Sequence, residues 1–525
     1  MTRPTTTGKA QDLITFTRST TGTALAKISY GEELVTNGDF SSGSTGWALS
    51  NWTWNNGSLS ITNLTGSITQ AVTPLVTGKT YTVLLEVSEL TQGNWYLWVN
   101  GAYVIGASTE AGAIKYSWTQ SSADKNVKIV CGVASTLTVD NISIKEVLYD
   151  QPDGTLQLFN HPINKPRIEY DASGNCLGLL VEEGRTNNLI YSNQASQLGY
   201  HGDGVTTGVD TTEVSSPEGS GTVIKLNKTA GGYGFARVSY GSVTYAQTLS
   251  AFVKKGTARY IGFRQLADVA THTTFDLETN TWVQTSGSTS RGYEDYGNGW
   301  LRLWVVSDDS DSKVWASLCI ANSGGAENNS ETGTVYVYGI QRETGLFPTS
   351  YIPTSGSAVT RVVDSAVATL SDFYYRQKNG SMVVEFTSKY DESAGLVKRV
   401  CEIGNTVTSD NRIMTYVKTD ETRLSSQVWD NDDNEFSKTL TTSVPNGTGV
   451  YSKVALAWET NNAHAALDGD LVGSADTDVS LTQTRDTLGI MRSTTGTTNS
   501  LTGHIKSIQY YPLRVADAKL ETLTS

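Results

Sequence analysis

"TYTVLLEV", Thr80 to Val87, places Tyr81, Val83, Leu85 and Val87 at every second position. A period of two belongs to a strand whose alternate side chains point to opposite faces, so this segment reads as a strand with one face in a core. The alternation recurs in "QTLSAFVKK", where Leu249, Ala251 and Val253 share a face, and in "SKVALAWE", where Val454, Leu456 and Trp458 do. Only "RVADAKLETL" near the end has helical spacing, with Val515, Ala518 and Leu523 on one side. The chain is expected to be all-β.

Its 525 residues leave room for several domains of roughly 150 residues each. Fifty glycines against 4 Cys and 4 Met suit short strands joined by many turns. Lys+Arg 39 against Asp+Glu 52 gives a net charge of -13, which disfavours a surface for phosphate backbones, so no nucleic acid partner is expected. Cys131, Cys176, Cys319 and Cys401 lie far apart without CxxC spacing and are expected as reduced core residues. "MTRPTTTGKAQDLITFTR" has no apolar signal-peptide region, and there is no apolar run of about 18 residues, so neither secretion by that route nor membrane insertion is expected.

Two segments share one plan. The first opens with "ELVTNGDFSSGSTGW" and closes with "STLTVDNISIKEV"; the second opens with "NNLIYSNQASQLGYHG" and closes with "GTVYVYGIQRETG". Each suits a β-sandwich, with a jelly roll as the expected topology. A third unit starts near "GSMVVEFTSKYDE". Pro- and Gly-containing joints, "YDQPDGTLQLFNHPINKPRIEYDASGN" and "LFPTSYIPTSGSAVTRVVDSA", separate them. The expected division is an N-terminal segment at 1–30, sandwiches at 31–148, 186–365 and 366–525, and a joint at 149–185. In "LGLLVEEGRTNN", Glu182, Glu183 and Arg185 fall on that joint. An adjacent Glu pair on a strand points in opposite directions, so these residues read as charge-assisted pins and not as a catalytic pair.

The phrases "LITFTRSTTGTAL", "NKPRIEYDASGNCLGLLVEEGRTNNLIYS" and "PTSYIPTSGSAVTRVVDSA" resemble, in this order, a module of bacteriophage tail and appendage proteins. The first two phrases normally follow closely; here the stretch from Gly31 to Leu148 stands between them as an insertion. That insertion resembles carbohydrate-binding modules of jelly-roll fold, and the end of the chain, "GHIKSIQYYPLRVADAKLETLT", resembles concanavalin/laminin-G-like domains. The resemblance implies a virion protein made in the host cytoplasm, commonly a homotrimer, with residues 1–30 as its virion-attachment segment. It also implies a structural calcium ion in the insertion, with Asp39 and Asp140 as carboxylate ligands; no other cofactor is expected.

Six of the 12 tryptophans fall in the insertion: Trp47, Trp52, Trp54, Trp95, Trp98 and Trp118. Indole offers a flat apolar surface to the C–H face of a sugar at small entropic cost. In "NWTWNN" a strand would put Trp52 and Trp54 on one face. In "GNWYLWVNG" Tyr96 and Trp98 share a face, with Trp95 on the other. The expected glycan contacts are Trp52, Trp54, Tyr96, Trp98 and Asn100, with Asn55, Asn56 and Asn94 alongside as amide donors. The alternative is that these rings fill a core.

"DNDDNE", Asp430 to Glu435, imitates a calcium loop but lacks its sixth-position Gly and twelfth-position acid, and is expected to be a solvated turn. His161, His201, His272, His464 and His504 are scattered, neither HExxH nor GxSxG occurs, and "SMVVEFTSKYDES" holds Glu385 without a second acid on the same strand. No enzyme is expected. The expected function is adhesion of a phage tail fibre to host-surface glycans. The alternatives are an architectural head-fibre, decoration or collar protein that binds virion neighbours, and a bacterial carbohydrate-binding protein, which the missing signal sequence disfavours.

Overall fold

The computed structural model describes residues 13–525 except 110, 152, 203–205, 220–221, 244–245, 265–271, 286–287, 308–312, 327, 391–394, 408–409 and 498. The chain is all-β, built of antiparallel sheets with a short helix, Asp517–Thr524. No helix among the described residues is long and apolar enough to cross a membrane.

The inserted sandwich is organised by one long strand, Asn126–Tyr149. It pairs with Ser58–Ala71 along one edge and with Trp95–Val99 and Thr80–Gln92 along the other. Tyr81, Val83, Leu85 and Val87 all lie in its core, as their alternation predicts, against Leu59, Ile68, Trp95 and Ile144.

In the second sandwich the strand Gln247–Lys255 lies between Trp300–Ser307 and Gly333–Thr344 in a six-stranded sheet. Leu249, Ala251 and Val253 face the core with Ile261, Phe263 and Phe275. The opposite face is covered as well: Phe252 packs with Trp300, Tyr338 and Tyr351.

The third sandwich has two seven-stranded sheets. Val454, Leu456 and Trp458 fill its core with Val384, Phe386 and Ile403. Strand Ile14–Thr17 forms one edge by pairing with Ser365–Thr369. Arg167–Tyr170 and Cys176–Val181 form a hairpin that joins the other sheet through Gly503–Tyr511. Parts of the expected attachment segment and linker, Ile14–Thr17, Arg167–Tyr170 and Cys176–Val181, are therefore strands of the C-terminal sandwich, while Gly22–Glu33 and Thr155–His161 join the sheet of the inserted one. The sequence-based division followed chain order, whereas backbone groups pair wherever a free sheet edge lies.

Three smaller corrections apply. Cys131, Cys319 and Cys401 are buried, but Cys176 is exposed. The helix begins at Asp517, so it buries Leu520 and Thr524 and leaves Ala518 outside. In "DNDDNE" only Asn431 and Asp432 make the turn, both at positive φ; Asp430 is buried and accepts hydrogen bonds from the Thr482 hydroxyl (2.6 Å) and amide (2.8 Å) beside Arg485.

The joint phrase does pin the sandwiches. Glu182 and Asp364 sit with Arg18, Arg167 and Arg361, all five buried. Arg167 donates to Glu182 at 2.7 Å and to Asp364; Arg18 donates to Asp364 at 3.1 Å, and Arg361 lies 3.3 Å from Glu182. The Ser350 amide and hydroxyl also donate to Glu182, at 2.7 and 2.6 Å. Burial alone would raise the Glu182 pKa, but Arg361 and Arg167 outweigh it and hold the carboxyl well below its usual range. Arg18 falls to about 10, through burial and then the like charge of Arg167. Outside this cluster, Glu183 accepts from Arg185 Nε at 2.9 Å and from Lys398 at 3.2 Å.

Candidate functional site: an aromatic face on the inserted sandwich

The hairpin Trp95–Val99 and Ala102–Ser108 turns on Asn100 and Gly101, with φ of 56° and 77°. Two consecutive residues at positive φ, Asn then Gly, make the tight turn whose twist matches a hairpin. It sets Val99 opposite Ala102 and Trp98 opposite Tyr103. Trp95, Leu97 and Val99 then point into the core, and Tyr96 and Trp98 point out.

The outer rings form a cluster. Trp98 and Tyr103 meet edge to face at 4.9 Å, and Tyr96 lies 5.4 Å from Tyr103. Lys128 Nζ sits 4.9 Å over the Trp98 ring, and Trp98 Nε1 donates to Asp124 at 2.9 Å. Tyr103 is 55% exposed; Tyr96 and Trp98 are half-buried. The rings are thus held by strands and by each other, and a ligand ordering them has little rotamer freedom left to remove. The Asp124 carboxyl is held below its ordinary range, chiefly by the Asn126 amide, and the Trp98 indole adds to this.

The other expected residues fall elsewhere. The strand starts only at Thr53, so Trp52 lies before it, just after the bend at Asn51 (φ 59°), and does not share a face with Trp54. Trp52 is core, whereas Trp54 is 48% exposed and donates its Nε1–H to Phe40 O at 2.9 Å. Trp54 lies opposite Leu59, whose partner on the long strand is Val139; Trp98 pairs with Lys128. Those two rungs are eleven residues apart on the long strand, at ~3.3 Å per residue, so the two indoles belong to different places on the molecule. Trp47, Trp95 and Trp118 are core. Asn100 is committed to the next loop: its Oδ1 accepts from the Ser121 and Ser122 amides at 2.8 and 2.9 Å, and its Nδ2 donates to Ser121 Oγ.

Asp39 and Asp140 do come within electrostatic reach, because the Ile142 amide donates to Gly38 O at 2.9 Å. Glu86, directly across from Asp140, joins them. Asp39 Oδ1 already accepts from Ser41, and Asp140 Oδ1 from the Asn141 amide. No group of three or more His, Cys, Asp or Glu side chains among the described residues is arranged to hold a metal ion. The two carboxylates do not by themselves supply the several oxygens calcium takes.

No protein-family model matches this chain, and no curated protein matches it. Among solved structures it is similar to the CBM40 of a Ruminococcus gnavus IT-sialidase bound to α2,6-sialyllactose. The identity there is 16%, over 30% of this chain and 87% of that one, with a TM-score of 0.25. The CBM22-1–CBM22-2 tandem domain of Paenibacillus barcinonensis Xyn10C is 11% identical over 61% and 99% of the two chains, with a TM-score of 0.20. Trypanosoma rangeli sialidase is 10% identical over 94% and 93%, with a TM-score of 0.24. Likeness at this level carries no residue across, and the site stands on its own geometry.

Proposed function

We propose that this chain is a non-enzymatic glycan-binding protein that contacts sugars through the outer face formed by Tyr96, Trp98 and Tyr103. The observation that carries the reading is a cluster of partly exposed aromatic rings fixed on a rigid hairpin, with a lysine and a carboxylate at its margin. Such a surface gives apolar contact to a sugar face and charged hydrogen bonds to its hydroxyls. The phage-like linking phrases support the finer reading, a homotrimeric virion appendage that adheres to host-surface glycans, where linked copies would turn weak single contacts into firm attachment.

The burial of Trp47, Trp52, Trp95 and Trp118 favours a second reading, an architectural virion protein whose outer face meets a neighbouring protein. Binding of the full chain to a glycan array and to host cells separates the two. Adhesion predicts saturable binding that falls at least about tenfold in Trp98→Ala and in Tyr103→Ala and stays unchanged in Trp54→Ala. Absence of binding to every glycan and cell, with the fold intact by circular dichroism, would leave the architectural reading.

A further inference from the structure

A concavity lies between the second and third sandwiches. It has a volume of about 390 Å³, within the range of small-ligand sites. Its floor is polar and buried: Arg302, Thr387 and His504. Its walls carry Glu169, Glu294, Tyr296 and Lys389.

These groups are held in place. His504 Nε2 lies 2.7 Å from Glu169 Oε2, and its Nδ1 lies 3.1 Å from Thr387 Oγ1. Glu294 accepts from Lys389 at 2.8 Å and from Thr448 at 2.7 Å. Burial works against ionisation of Glu294, but Lys389 and the Thr448 hydroxyl bring its pKa down to about 2. The Tyr296 ring packs edge to face on Phe252 at 4.8 Å, and its hydroxyl bonds Arg302. Burial, then Glu169 and Glu294, raises the Tyr296 pKa, so its hydroxyl keeps its proton.

Hydrogen-bonding capacity is left over. A lysine ammonium has three donors, and one of those on Lys389 meets Glu294. Buried Arg302 is held from behind, donating through Nη2 to Thr349 O at 2.6 Å. Asp171 and Asp295 add negative charge at the rim, so carboxylates outnumber the two cations, Lys389 and Arg302.

We infer that this cleft is a second sugar site, taking a neutral or amino monosaccharide and rejecting acidic ones, because its donors and acceptors converge while its net charge is negative. The inference rests on the reading of the chain as glycan-binding but uses none of the outer-face residues. The test is therefore made on full-length Trp98→Ala protein, whose outer face is disabled. Saturation-transfer NMR and calorimetry with N-acetylglucosamine, glucosamine and N-acetylneuraminic acid should show saturable binding of one or both of the first two and none of the third. Adding Tyr296→Phe, which removes a single hydroxyl, or Lys389→Met should weaken that binding at least tenfold. Binding indifferent to both changes, preference for the acidic sugar, or a lowered melting temperature with no sugar bound would each overturn the inference. The last would make these contacts an adhesive between sandwiches only. Loss of outer-face binding in Trp98→Ala tests the first reading separately.

Discussion

Asp140 shares its corner with two other carboxylates, and this has a measurable consequence. Burial first, then Glu86 and Asp39, raises its pKa above the ordinary 3.8. A carboxyl that holds its proton more tightly when folded favours the fold most below its unfolded pKa, and that contribution is lost as pH rises through the folded value. Asp140→Asn should therefore raise the melting temperature at neutral pH, measured in chelator, and make no difference near about pH 3. A gain on adding Ca²⁺ that the variant lacks would instead identify the ion implied by the sequence resemblance. At the same scale, Trp52 shows why part of the site was illegible: the strand begins at Thr53, one residue too late for a face assignment that assumed unbroken strand through Trp52. Tyr103 was legible but missed. The Asn-Gly pair at 100–101 fixes a two-residue turn, and counting outward from it puts Tyr103 opposite Trp98.

Strands were readable because alternation is local, and the core faces of Thr80–Gln92, Gln247–Lys255 and Gly447–Glu459 follow from it. Their partners were not readable, because nothing in "LITFTR" says that its strand will meet residues 365–369. That edge strand should matter. Deleting residues 1–17 would leave the Ser365–Thr369 edge unpaired and uncover part of the core beside Phe16. Exposed edges recruit other edges. The truncated protein is expected to melt earlier and to form concentration-dependent aggregates in light scattering.

At the scale of the molecule, the buried cluster of Arg18, Arg167, Arg361, Glu182 and Asp364 ties together chain segments far apart in sequence. The joint phrase announced a pin, but the sequence could not say that three arginines from separate phrases would converge on two acids. Breaking one partner of a buried ionic network leaves charges uncompensated, so Glu182→Gln should cost about 3–5 kcal/mol in denaturant unfolding. The binding proposed for the outer aromatic face should be unchanged per folded molecule, since that face lies on another sandwich.

The way the inserted sandwich is attached reaches beyond this chain. Strand Gly22–Glu33 leads into it, the end of Asn126–Tyr149 leads out, and Glu33 and Lys145 are rungs of one ladder. Thr155–His161 lies along the other side of the entering strand, so the mount is finished outside the insertion. A unit whose two ends meet one strand spacing apart, ~4.8 Å, behaves as an exchangeable cassette. Recombination could replace the inserted sandwich and keep the chassis, giving a lineage a new outer face without refolding the rest.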